Sequence, residues 1–322
     1  MEKKFIGAGL LSGLVAGIVS FLFARAFIEP QIAKALDYEN GRSSAAAALA
    51  GGGDEPGGEL FSRSIQQNIG AGVGSVVFAL CMGAFFAVAF TLLWMYVGRK
   101  YPTTDARWVA AGLGVLSFVA VAGVPFFAYP ANPPAVGSDD TIGARSAAYL
   151  TVTLLSVLFM IGAVILAFWL RPRLGGLLSG VAGAVAYLVA VTVAVALLPE
   201  YDDVPGAMID STGRIVFPGF PGGVLGDFRV YAIANQVILW TLLTLVFVAL
   251  IGWMMRTADQ PDGAVGTATE DRPAGEKRTE AAAATPVPAA PVGRHAEPSD
   301  PSDANPAGGA APGWSVGRPP AR

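Results

Sequence analysis

The chain has 322 residues, a mean hydropathy of +0.54, 14% charged residues and a formal net charge of -3. A soluble domain of this size carries about 25% charged residues, so the polar surface is too small to coat a water-soluble globule, and no basic field is present to hold nucleic acid. The single cysteine, Cys81, permits no intramolecular disulfide, and the single histidine, His295, lies far outside the apolar part, which excludes histidine triads and HExxH zinc sites there.

A membrane span needs about 20 predominantly apolar residues. The first such run covers residues 5–27, after Lys3 and Lys4. Its length exceeds the about 7–15 residues of a signal-peptide core, so a retained helix is preferred to a cleaved leader. Gly9, Gly13 and Gly17 recur every fourth residue, a spacing that suits close helix packing. Further spans are predicted over 69–97, 108–129, 147–170, 175–198 and 231–255. The expected fold is an all-α, polytopic bundle of about six spans occupying residues 1–256, with Arg171-Pro172-Arg173 as a tight hairpin turn. Residues 257–322 are rich in Ala, Pro and Gly and read as a disordered cytoplasmic tail. Gly9-Leu10-Leu11-Ser12-Gly13 recurs as Gly176-Leu177-Leu178-Ser179-Gly180, which is either an internal repeat or chance among glycine- and leucine-rich helices.

Basic residues are dense in the short segments holding Lys3, Lys4, Arg99, Lys100, Arg107, Arg171, Arg173 and Arg256, and the long intervening loops are acidic. By the positive-inside rule the short segments and both termini face the cytoplasm. The first outer loop opens on Glu29-Pro30 and is predicted to form a short interfacial helix ending at Gly41, with Ile28, Ile32 and Leu36 on one face. Ser43 to Gly58 reads as a flexible linker. The loop from Pro199 to Phe228 is ordered by contacts or not at all.

Polar groups near the outer ends of the spans are the candidates for function, because an ionisable group in a span is costly. Arg25 snorkels to the interface, pairs with Glu29 one turn later, or serves a solute path. Arg63, Gln66, Gln67 and Asn68 lead into the second span, and Asp227, Arg229, Asn235 and Gln236 into the last. Asn235 and Gln236 either bridge helices or line a path. Glu29, Asp37 and Glu39 are candidate oxygen ligands for a hard cation, or else a solvated acidic face, and Asp202 with Asp203 forms a second acidic cluster. Cys81 and Met82 read as packing residues. There is neither a GxxxxGK[ST] run nor a GxSxG run, so neither a P-loop ATPase nor a serine hydrolase is expected.

The order of several short motifs resembles the CbtA family, predicted cobalt transporter subunits of bacteria. These are the glycine-rich first span ending in Glu29-Pro30-Gln31-Ile32, then Tyr38-Glu39, Arg63, Asn68-Ile69-Gly70, Pro133-Pro134 with Gly137, Leu225-Gly226-Asp227-Phe228-Arg229, Asn235-Gln236 and Leu239-Trp240. The resemblance covers the chain up to about Met255. It implies a multi-pass protein of the bacterial cytoplasmic membrane that takes up cobalt for corrinoid synthesis. It also implies a small His-rich partner, CbtB, supplying the metal ligands this chain lacks. On that reading cobalt is cargo, no cofactor is expected, and the chain is not an enzyme. Arg25, Glu29, Tyr38, Glu39, Arg63, Asn68, Asp227, Arg229, Asn235 and Gln236 would gather at the outer mouth. The competing expectation is a membrane scaffold that binds partners and moves nothing.

Overall fold

The computed structural model describes residues 2–51 and 66–258. Residues 52–58 of the expected linker, Arg63, and the tail from residue 259 lie outside the described residues. Helix α1 (Glu2–Phe23) runs through a wide π turn (Ala24–Ile28) into α2 (Glu29–Ala50). A second π turn (Gln66–Gly70) opens α3 (Ala71–Lys100). Helix α4 (Ala106–Phe118) continues through a third π turn (Val119–Gly123) into α5 (Val124–Ala128). Then come α6 (Ile142–Leu197), a two-stranded antiparallel ribbon of β1 (Met208–Ile209) and β2 (Ile215–Phe217), and α7 (Gly222–Ala258).

Five helical runs are long and apolar enough to cross a membrane. One of them, α6, has 56 residues, which at 1.5 Å per residue is about 84 Å, far beyond the about 30 Å of a bilayer core. It breaks at Gly175, where φ is 76° and ψ 176°, and its two arms fold back on one another. Ser156 Oγ and the Tyr187 hydroxyl hydrogen-bond at 2.7 Å across the arms. Gly183 lies so close to the Ala163 carbonyl that an added Cβ would stand 2.8 Å from its oxygen. The hairpin therefore turns at Gly175 rather than at Arg171-Pro172-Arg173 as expected. Glycine adopts a positive φ without penalty, and the helix carries Pro172 inside it. With the hairpin counted as two, six apolar segments result.

Two of the π turns have a common local cause. A proline inside a helix crowds the carbonyl four residues earlier and leaves it without a donor. For Pro30 that residue is Ala26, and for Pro125 it is Val121; both lie within a π turn. The wider turn absorbs the proline without breaking the helix. This is why the first span does not stop at Glu29. The expected short interfacial helix is instead an unbroken continuation that passes Gly41 and ends at Gly51, whose φ of 68° makes a left-handed cap. The alanines at 45–48 favour helix. Gly41 is small for another reason: the Phe217 ring rests against it, 2.9 Å from where a Cβ would be. The last helix likewise starts earlier than expected, at Gly222, and includes Asp227 and Arg229.

Helices α1, α3, α4 and α7 form the main bundle. Its core holds Phe86, Phe90, Leu243, Phe247 and Ile251, with edge-to-face ring pairs Phe86–Phe247 at 5.0 Å and Phe90–Phe247 at 5.1 Å. The α6 hairpin packs separately through Ala163, Tyr187 and Val191 against Val119 and Val124. Large apolar side chains point outward all round, including Leu177 at 82% exposure and Trp108 at 78%. Such a surface suits lipid and not water.

The recurring Gly-Leu-Leu-Ser-Gly segments are used differently. Gly9 and Gly13 in α1 abut the backbone of α3 at Gly83 and Ala79. A Cβ at Gly176 or Gly180 would meet nothing within 4 Å among the described residues. The echo in sequence is therefore not an echo in packing.

Candidate functional site

The bundle has a basic and an acidic end. At the basic end the Arg171 guanidinium lies 4.0 Å over the Tyr101 ring, and Arg107 reaches to 3.0 Å from a Cβ position at Gly252. Asp105 caps α4 by accepting from the Arg107 backbone N–H at 2.9 Å and also binds its guanidinium. Those Arg107 bonds hold the Asp105 carboxyl below the usual carboxylate range.

The acidic end carries most of the polar side chains singled out in the sequence. Ser20 Oγ donates to Asn235 Oδ1 at 2.8 Å and ties α1 to α7 inside the apolar zone; Ser20 is 2% exposed. Arg25 Nε donates to Asn68 Oδ1 at 3.0 Å and joins the first two π turns. Arg229 Nη2 donates to Asn132 Oδ1 at 2.8 Å and holds the Pro133-Pro134 loop to α7. Gln236 is half-buried beside Asn235 on α7. Asn235 thus joins α1 to α7 in this structure.

Beyond these bridges, α2 and the long loops build a small cap. Tyr38, 8% exposed, packs between Phe217 and Phe220 with ring centroids 5.3 and 4.9 Å away. Its hydroxyl donates to the Pro218 carbonyl at 3.1 Å and accepts from Arg42 Nη1 at 3.2 Å. Arg42 Nη1 also donates to the Gly206 carbonyl at 2.8 Å. The loop from Pro199 to Phe228 is therefore ordered by contacts. Asp203 accepts from Thr141 Oγ1 at 2.9 Å and lies 3.4 Å from Arg145 Nε. The Tyr129 hydroxyl donates to the Pro199 carbonyl at 2.8 Å, and burial pushes its pKa up.

The acidic candidates are spread out. Glu29 begins α2, and Asp37 follows eight residues on, about 12 Å along the axis. Asp37 and Glu39 are exposed and project about 200° apart around the helix. Asp227 is exposed on the first turns of α7. Among the described residues no three His, Cys, Asp or Glu side chains gather in a way that could hold a metal ion. Cys81 is exposed on α3, whereas Met82 packs against the core.

Ser20, Asn132 and Arg145 were not singled out in the sequence, and the partners of Asp203 were not foreseen. Ser20 could have been found as a polar residue within an apolar run. Asn132 and Arg145 looked like ordinary loop residues, because the partner of Asn132 lies 97 positions away and that of Arg145 on another loop.

Asp210 holds the turn of the β ribbon. Its carboxylate accepts from the Thr212 hydroxyl at 2.6 Å and from the backbone N–H groups of Thr212 and Arg214 at 2.8 and 3.0 Å. The Thr212 hydroxyl bond leads in lowering its pKa. A carboxyl depressed in the folded state stabilises fold above its unfolded pKa of about 3.9, and that contribution is lost as pH falls through the folded value. Hydrogen-exchange protection at Thr212 and Arg214 should therefore persist at pH 5 and vanish in strong acid. D210A should lack it at every pH.

Apolar helices with covered polar bridges at one end, and lipid-compatible side chains around the circumference, define a polytopic membrane protein. The sequence model of one family, described as "Probable cobalt transporter subunit (CbtA)", matches residues 2–252, and the chain belongs to the CbtA family. No curated protein and no solved structure matches it.

Proposed function

We propose that this chain is the permease subunit of a divalent-metal uptake system, with cobalt as cargo for corrinoid synthesis. The observation that carries the reading is the extent of the family match: residues 2–252 reach all five apolar helical runs of the described residues and stop only in the last turn of the final one. On this reading the membrane part is the transporting unit. In this proposal the acidic end faces outward from a bacterial cytoplasmic membrane, and both termini are cytoplasmic. Glu29, Asp37 and Glu39 attract the cation electrostatically. The amides of Asn68, Asn235 and Gln236 replace part of its hydration shell, and Arg25, Arg63 and Arg229 with Asp227 and Tyr38 set the geometry of the mouth. A small His-rich membrane subunit of the CbtB kind supplies imidazole ligands, since no histidine occurs before His295. Energy comes from outside the chain, which carries no P-loop motif.

The test is cobalt accumulation in cells with and without this chain, each with the partner present. Transport predicts accumulation only with the chain. E29Q/E39Q should raise the half-saturating cobalt concentration about tenfold, and the effect should shrink in high salt. Unchanged cobalt accumulation in all strains removes the transport reading and leaves a scaffold.

A further inference from the structure

Among the described residues the basic end carries more positive charge than carboxylates neutralise. Arg99 and Lys100 close α3, and Arg171 and Arg173 lie near the tip of the α6 hairpin. Among the described residues none of these four forms an ion pair. The nearby carboxylate, Asp105, is already engaged by Arg107 at 2.6 Å.

Aromatic rings hold these cations in place. Lys100 Nζ donates to the Tyr96 hydroxyl at 2.9 Å and lies 5.2 Å from the centre of that ring. Arg171 sits 4.0 Å over Tyr101, and Arg173 4.8 Å over Trp169. Phe168 packs edge-on against Tyr96 at 5.2 Å, so the hairpin tip and the end of α3 form one surface. A cation over a ring keeps its charge and its outward N–H donors.

A shallow, open groove lies on this surface beside an apolar track. Met95, Tyr96, Arg99 and Lys100 line a groove of about 370 Å³. Phe85, Val88, Leu92 and Met95 lie outward on α3 with exposures of 67, 48, 65 and 57%. Their spacing of three, seven and ten residues puts them on one helix face. The track from Phe85 to Met95 is about 15 Å long at 1.5 Å per residue, half of the about 30 Å hydrocarbon core. It ends where the cations begin.

We propose that this groove binds an anionic glycerophospholipid, its phosphate among Arg99, Lys100 and Arg171 and one acyl chain along the track. Charge complementarity selects the acidic headgroup over a zwitterionic one, because four cations without carboxylate partners among the described residues gain most from an added net negative charge. Arginine guanidiniums suit phosphate oxygens through paired N–H donors. The apolar track distinguishes a lipid from a free phosphate, which has no tail to lay on it.

The full-length protein in nanodiscs of mixed phosphatidylglycerol and phosphatidylcholine, released into neutral detergent, gives the test by native mass spectrometry. Phosphatidylglycerol should be retained over phosphatidylcholine by about tenfold or more. R99Q/K100Q/R171Q/R173Q should abolish that preference, with K100Q and R171Q each lowering it about fivefold should the quadruple variant fail to fold. L92A/M95A should weaken retention of the lipid, and millimolar inorganic phosphate should not displace it. Equal retention of the two lipids, an unchanged preference in the charge variants, or displacement by inorganic phosphate overturns the proposal.

Discussion

Replacing Gly83 with leucine is expected to abolish the folded bundle. Gly83 and Gly9 face each other across the α1–α3 contact, and a Cβ on either would fall on the carbonyl oxygen of the other. The contact continues at Gly13, whose Cβ position falls on the Ala79 carbonyl oxygen, and at Gly17, 2.8 Å from Ala79 Cβ. Backbone meets backbone along this seam, so a larger residue must push two helices apart rather than turn a side chain. Helix association in lipid relies on such close packing. Overpacking usually costs about 1–3 kcal/mol, and a backbone clash should reach about 3 kcal/mol or more. G180L provides the comparison, because a Cβ added there meets nothing within 4 Å among the described residues. It should change stability by no more than about 0.5 kcal/mol. Thermal unfolding of detergent-purified protein, followed by size-exclusion profile, reads both. Equal melting of G83L and wild type would remove the seam as the basis of the bundle.

Asp203 should matter nearly as much, for an electrostatic reason. The Arg145–Asp203 pair is partly buried, with side-chain exposures of 22 and 15%. The Arg145 guanidinium also presses on Gly137, where a Cβ would lie 2.6 Å from Nη1. The pair thus links the start of α6, the Pro133-Pro134 loop and the loop after Leu197. Removing one partner of a fully buried pair costs about 3–5 kcal/mol. Residual solvent access lowers the expectation for D203A to about 2 kcal/mol. D203N, which retains an acceptor for Thr141 but not the charge, should lose about half as much. The D203A loss should shrink in high salt, because the wild-type pair is screened. A stability of D203A equal to wild type at low salt would show that the cap is held by its apolar contacts alone.

Six apolar stretches were readable from the residues one by one, because lipid imposes a length and a polarity on each segment independently. The ordering of the Pro199–Phe228 loop was left open by its prolines and glycines, and contacts with Tyr38 and Arg42 closed it. Local chemistry also contained, unread, the reason the first span does not stop: Pro30 and Pro125 each follow a stretch that can widen into a π turn. Where the helices end was harder, since Gly41 and Gly51 are the same residue type and only packing against Phe217 distinguishes one as a spacer from the other as a cap.

Of the polar residues, their presence near one end was legible and their partners were not. Ser20 and Asn235 are 215 positions apart, and Arg25 and Asn68 are 43. Hydrogen bonding is short-ranged, so pairings across such separations exist only once helix packing has fixed which faces meet. The same holds for Glu29, Asp37 and Glu39: nearness along the chain suggested a cluster, but helical rise and rotation spread them over about 15 Å of one helix. Composition and periodicity thus decided that this chain lives in a membrane, through per-residue solvation. Which of its charges face one another was decided by three-dimensional packing alone.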